Sequence, residues 1–495
     1  MKLRTLTAVC ALCAAIISNT ASAGYAEYLQ LNGLDNHAVL EDNGNPSDNI
    51  VQLRSTNGTF ATIQFEMPTD ILAIDLGAGD DQLVVEGLQL GVLTAELMVF
   101  GQGGDDLVVL RGLDTLSNVY SDDVNGDNTL DYQQSLVSGD LHVTDGSGKQ
   151  TVRFAGEVGG SVFIQSSDGG SDLRIGTSGV TGLSARIDGA LLINHSGYGD
   201  DIVRLGGFVD GDVFIDSGHG AFDFSSIFSS VGSLYTSVDS GTSRVFLGDF
   251  SSDGESHVLC AEGETDLQVF FSFLNNGLFV NNGLGFDKAR IEGSVVGNQV
   301  AINNGDGGSS TILRDRFRAL NVPQIQVQNG SGSDTYELAL GDREASTVGS
   351  FSANNGRGNS TIIITGSSPM ESVTSSARWG LDVLSLDGVN IANNLIAFHS
   401  GGGSDVDIHD SNIGGNVDID SKGRTDYVSI FDSSVGGTTN LHTGGGRDSV
   451  TVSNNVFSSD FVADGGAGYD IFATTNDNSF GGIEYVTRFE FIYEY

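Results

Sequence analysis

Across 495 residues the chain carries 64 aspartates and glutamates against 22 lysines and arginines, a formal net charge of −42, with 39% hydrophobic residues. So acidic a surface repels phosphate backbones and anionic lipid, which argues against nucleic acid and anionic membranes as partners. The ordinary apolar content argues against a disordered polyanion, and 70 glycines against 4 prolines mean many tight turns and few stiffened linkers.

Residues 1–23 have the plan of a signal peptide: Lys2 and Arg4, an apolar stretch from Leu6 to Ile17, and Ala21-Ser22-Ala23 as a small-x-small cleavage site. The expected mature chain starts at Gly24, is secreted to the exterior or the cell surface, and has no membrane span, because no other segment reaches about 18 unbroken apolar residues. Removing the leader leaves Cys260 as the remaining cysteine, so packing, backbone hydrogen bonds or metal must hold the fold. Cys260 is expected to be a small buried hydrophobe, with His257 on the opposite face of its strand.

The segment SDDVNGDNTLDYQQ, residues 121–134, places Asp123, Asn125 and Asp127 at positions one, three and five of a calcium-loop spacing, with Leu130 at eight and Asp131 at nine. Such spacing converges alternate oxygens on one ion. The segment resembles a degenerate EF-hand or dockerin loop, with Asn128 in place of the usual glycine and Gln134 in place of the acidic twelfth ligand. The resemblance implies calcium on Asp123, Asn125, Asp127 and Asp131.

Farther along, the chain repeats itself. GGGSDVDI, KGRTDYVSI, GGGRDSVTV and GGAGYDIF surround Asp405, Asp426, Asp448 and Asp470, at steps of 21, 22 and 22 residues. Val417, Thr439 and Phe461 keep the same beat, as do Ile413, Val435 and Phe457. Upstream, 158–175 and 209–224 share the scheme, while 225–325 keeps β character with a blurred repeat and ALNVPQIQ at 319–326 reads as an inserted loop. Units of about 22 residues with short alternating strands cannot bury their own apolar faces and must stack on their neighbours.

The predicted fold is therefore all-β: a right-handed parallel β-helix or solenoid with coils of about 22 residues, roughly 20 coils in all, and equivalent residues ~4.8 Å apart. Coils at 24–325 form its N-terminal and central part, and 326–495 its C-terminal part. The tail RFEFIYEY, residues 488–495, is expected as a terminal strand capping the last coil. Propellers and stacked β-sandwiches, the structural alternatives, usually repeat near 40 residues.

GGAGYDIFA at 465–473 matches the nonapeptide G-G-x-G-x-D-x-U-x at every fixed position. Its core recurs as GAGDDQL at 77–83, GYGDDIV at 197–203, GSGSDTY at 330–336 and GGGRDSV at 444–450, with the variant GQGGDDLVV at 101–109. The chain thus resembles the RTX (haemolysin-type) calcium-binding repeat proteins. That resemblance implies calcium as cofactor, with Asp81, Asp106, Asp201, Asp334, Asp448 and Asp470 as ligands and glycines that let loop carbonyls turn toward the ion. It departs from the family in having one nonapeptide per coil, and in Lys422 and Arg424 where glycines belong.

His195, His399 and His442 precede the glycine loops and read as solvated repeat positions. With 64 acids in the chain, carboxylate pairing carries no information about catalysis. The expected function is a secreted, acidic, calcium-binding repeat protein with a structural, cell-surface, matrix or adhesion role. Its expected partners are calcium, surface polysaccharide and other cell-surface proteins. The alternative is a β-helix polysaccharide lyase or glycosidase.

Overall fold

The computed structural model describes residues 24–45, 47–86, 88, 92–176, 185–341 and 346–495; the predicted signal peptide lies outside the described residues. One turn shows how the sequence dictates the winding. Val417–Ser421 and Tyr427–Phe431 are strands, Ser434–Val435 is a third, shorter one, and along all three every second residue points inward. Val417, Ile419, Val428, Ile430 and Val435 are buried in consequence. Each fully buried aliphatic side chain contributes roughly 1.5–3 kcal/mol, but only when neighbouring turns cover it.

The neighbours do so in parallel register. Val417 pairs with Thr439 and Thr439 with Phe461, Val428 pairs with Val450, and Val435 with Phe457. This is a parallel β-solenoid with turns about 22 residues apart, and no helix occurs among the described residues. Consequently no helix is long and apolar enough to cross a membrane.

The described residues divide into two compact units, one ending at Leu192 and the other running from Ile193 to Tyr495. In the first, the strands Ile71–Ala78, Glu96–Gly103, Val119–Asn125 and Leu141–Ser147 stack as one column, and Gln82–Glu86, Leu107–Arg111, Thr129–Val137 and Gln150–Val158 as another. Its opening departs from the predicted pattern: His37–Asp42, Ile50–Ser55 and Ile63–Glu66 form an antiparallel meander, whose first strand lies parallel on Gln82–Glu86.

In the second unit the repeat stays regular through the stretch that looked blurred. Residues 321–328 are a strand, not an inserted loop: Ile325 pairs with Val300 on one side and Phe351 on the other. The extra residues instead bulge out just before it, where Phe317 adopts φ 70° and Arg318 packs over the Phe271 ring. Position 325/326, where the sequence suggested a boundary, lies inside this strand. The tail does form a terminal strand, Phe491–Glu494 on Ile471–Thr474, with all four of its residues exposed.

Candidate functional site: the glycine-aspartate corner

In the turns around 426, 448 and 470 the chain leaves its first long strand, rounds a glycine-rich corner and enters its second. The last corner residue points inward. In the second unit Asp426, Asp448 and Asp470 hold this position in successive turns and are at most 1% exposed. Each accepts a hydrogen bond from the turn before it: Ser404 N to Asp426 Oδ1 at 2.7 Å, Asp426 N to Asp448 Oδ1 at 2.9 Å, and Asp448 N to Asp470 Oδ1 at 3.0 Å. Glu490 Oε2 extends the file by accepting from Asp470 N at 2.7 Å. Asp405 is not a member. Its strand begins at Gly403, so Asp405 pairs with Tyr427 and faces outward, and Ser404 fills the position.

The same position in the first unit holds Asp81 and Asp106. Asp81 Oδ1 accepts from Asn36 N at 2.5 Å and Asp106 Oδ1 from Asp81 N at 2.9 Å, after which Asn128 Oδ1 accepts from Asp106 N at 3.0 Å. The residue preceding this position, an acid in all three corners, works in the opposite sense. Exposed Asp80, Asp105 and Asp127 each accept from the turn that follows, at 2.8–2.9 Å. Thus the two acids of a corner clamp the turn below and the turn above, which satisfies corner N–H groups that strand pairing cannot reach.

The glycines serve the stacking directly. A Cβ on Gly402, which has no positive φ, would land on the carbonyl oxygen of Gly380, and one on Gly468 would land on that of Gly446. The corner backbones therefore approach as closely as strands do, and Gly445-Gly446 pairs with Ala467-Gly468 as a miniature sheet. Arg424 is the exception in this column, held at φ 91°.

Burial dominates the electrostatics. It raises Asp426 to about 6 and, together with the negative neighbours Asp426 and Asp470, Asp448 to about 7. Lys422, Arg424 and Arg447 are exposed on the outside of the corner.

The calcium scheme implied by the RTX resemblance can be tested on these donors. A calcium ion takes 6–8 oxygens. In the corners of 426, 448 and 470, one carboxylate oxygen per residue is spent on a backbone N–H. The loop carbonyls of Gly444 and Gly446 are spent on Ala467 N and Tyr469 N, at 2.7 and 3.1 Å. What remains is one buried, unpartnered Oδ2 per turn, spaced by ~4.8 Å. Two such oxygens per gap fall far short of a calcium shell, so this donor set does not fit the ion.

The other predicted ligands are dispersed. Asp334 accepts from Ser309 Oγ at 2.8 Å. Asp201 pairs with His195 at 2.9 Å and accepts from Ser217 Oγ at 2.5 Å, all within the core. Segment 121–134 is two strands, Val119–Asn125 and Thr129–Val137, joined by a corner. Asp123 points inward; Asn125 points outward to Ser147; Asp127 holds Lys149 N from the corner; Asp131 lies on the outer face of the next strand, bonded by Gln133. The four side chains expected to converge are aimed at different sides of the coil, because the backbone turns at Gly126–Asn128.

A second inward column, at the end of the first long strand, was not anticipated. Asn282, Asn304, Asn329 and Asn355 form a buried amide ladder with bonds of 2.8, 3.0 and 2.8 Å. The recurring Asn-Gly pair at 282, 304, 329 and 355 was its available signal. His399 belongs to the same column, 1% exposed and lowered by burial to about 4, whereas His442 is exposed near Asp464. Hence His195 and His399 are core residues and only His442 is solvated. Cys260 is fully buried with His257 facing out, as expected.

Rings stack along the outer face, Phe214 on Tyr235 on His257 on Phe279, at 4.8–4.9 Å; their faces cover one another and solvent meets the edges. At an exposed corner His409 Nδ1 lies 3.2 Å from Asp387 and 3.4 Å from Asp410. Where Asn321–Gln328, Thr347–Asn355 and Pro369–Ala377 run on without the usual corner, a groove of about 550 Å³ opens between Val322, Val348 and Met370, with Glu371 the one ionisable residue among the described residues of its lining.

Fold and corner together define a class: a parallel β-solenoid whose turns are clamped by glycine-aspartate corners. No protein-family model, curated protein or solved structure matches the chain.

Proposed function

We propose that this chain is an acidic structural repeat protein of the cell exterior, acting as a surface, matrix or adhesion scaffold. The observation that supports this most is the use of the conspicuous residues. The corner aspartates and glycines, which would be the chemistry of a site, are spent on holding one turn to the next. The outer faces meanwhile carry aromatic columns over several successive turns, Phe214, Tyr235, His257 and Phe279 among them, and exposed acids at the corners, an arrangement suited to many weak contacts made in parallel with surface polysaccharide or other surface proteins. Calcium enters this proposal as a counterion of the exposed corner acids, such as Asp80, Asp105 and Asp127.

Fractionation of cells producing the full chain tests the proposal. It predicts recovery in the medium or on the cell surface, and retention on a matrix of the same cells that weakens as salt is raised. Recovery in the cytoplasm, or turnover of any member of a panel of acidic and neutral polysaccharides, would refute it.

A further inference from the structure

In the second unit, at the end of the strand opposite the glycine corner, three acids surround one imidazole. Leu381–Asp387 and Gly403–His409 pair in parallel with Asp387 opposite His409, so the winding sets the two side chains one above the other on the outer face. Asp410 follows directly, where the chain turns at φ 46°. Asp387 Oδ1 lies 3.2 Å and Asp410 Oδ2 3.4 Å from His409 Nδ1, and the three donor atoms lie within 4.8 Å of one another. Among the described residues no other three histidine, cysteine or carboxylate groups come so close together.

That spacing is the one a tetrahedral ion requires. Ligands at ~2.1 Å from zinc stand ~3.4 Å apart, and three protein ligands with water in the fourth position complete its shell. An imidazole nitrogen with two carboxylates suits zinc and its neighbours in the first transition row, whereas calcium would need several more oxygens. The far side of the ring is also provided for. His409 Nε2 lies 3.6 Å from Asp432 Oδ2 in the following turn, and Asn454, one turn further on, donates from Nδ2 to Asp432 Oδ1. A carboxylate behind the ring in this way fixes the orientation of a metal-bound histidine. Even a protonated His409 would balance one of the three carboxylates, so the cluster has charge to spare for a dication. The proton that Asp387 holds on Nδ1 through its hydrogen bond is the one a metal displaces. His409 and the three acids are 43–60% exposed, so an ion and its water reach them from solvent.

We propose that His409, Asp387 and Asp410 bind one divalent cation of the zinc class, with Asp432 orienting the imidazole. The site shares no residue with the aspartate file at 426, 448 and 470, and its nitrogen ligand sets it apart from the calcium scheme. Its ligands come from two successive turns and its orienting acid from a third, so an occupied site ties the turns together at their outer edge. The scaffold role proposed above stands or falls independently of it.

The test is calorimetric titration of zinc into the full chain and into His409→Gln, Asp432→Asn and His442→Gln, in millimolar calcium to occupy the scattered surface acids. His442 is the control, a second exposed histidine beside one acid, Asp464, at 3.6 Å. The expected result is one binding step in the wild type and in His442→Gln, its loss in His409→Gln, and a weakening of roughly 10–100-fold in Asp432→Asn. Zinc is also expected to protect His409 of the wild type from diethyl pyrocarbonate while His442 stays reactive, a readout by peptide mass that does not depend on any variant folding. Absence of a binding step in the wild type, a step that survives His409→Gln, an affinity unchanged in Asp432→Asn, or equal protection of His409 and His442 would each overturn the proposal.

Discussion

Replacing Gly402 by alanine should break the stacking of turns, and replacing Gly423 should not, although the two glycines lie in consecutive corners. The added methyl at 402 would sit on the carbonyl oxygen of Gly380, whereas nothing lies within 4 Å of a Cβ at 423. Neither glycine has a positive φ, so backbone conformation drops out of the comparison. Relief at 402 requires the corner to move away from its neighbour, beside the pairing of Leu381–Asp387 with Gly403–His409. Overpacking of this kind costs about 1–3 kcal/mol, and weakening one inter-turn hydrogen bond adds about 1 kcal/mol, for a total of about 2–4 kcal/mol. At 423 alanine should be neutral, or stabilising by up to about 1 kcal/mol through the unfolded chain. Thermal unfolding with hydrogen-exchange mass spectrometry over 381–409 reads both effects. Equal midpoints for the two variants, or unchanged protection in Gly402→Ala, would refute the steric account of the glycines.

Burial holds the folded Asp448 carboxyl near 7 against an ordinary 3.8, so the folded state binds this proton more tightly than the unfolded chain. The contribution is full below about pH 4 and is lost as pH rises through about 7, worth at most about 4 kcal/mol. Asp448→Asn should therefore match the wild type near pH 3.5 and exceed it in denaturant midpoint near pH 8; equal destabilisation at both would contradict this. On the outer face, Tyr235→Ala removes the ring between Phe214 and His257, each stacked contact being worth about 0.5–1.5 kcal/mol. Chemical denaturation should show a loss of about 1–3 kcal/mol, and a loss no larger than for an exposed non-aromatic position would remove the ladder as a source of stability.

Periodicity made the fold legible. Ile413, Val435 and Phe457 recur at intervals of 22, and in the structure they stack as partners in one short-strand column. The file of Asp426, Asp448 and Asp470 was visible for the same reason, since one residue per turn in a solenoid means one line in space. The blurred middle was misread because local pattern at 319–326 includes Pro323, which resembles a loop signal, while inter-turn pairing with 299–303 and 347–355 held the segment as a strand. The antiparallel meander at 37–66 had no repeat to announce it.

What the amino-acid sequence determined by itself was the spacing: which residues recur, at what interval, and that single turns must stack to bury their valines and isoleucines. What the tertiary structure alone decided was direction. The sequence could not say whether the corner aspartates turn outward to a cation or inward to a neighbouring N–H, because that depends on where each strand begins relative to the corner. One residue of offset separates buried Ser404 from outward-facing Asp405. For the same reason the meeting of His409 with Asp387 and Asp410 was hidden: Asp387 stands 22 positions before His409, and only the outward aim of both, at matching strand ends, brings their donor atoms together.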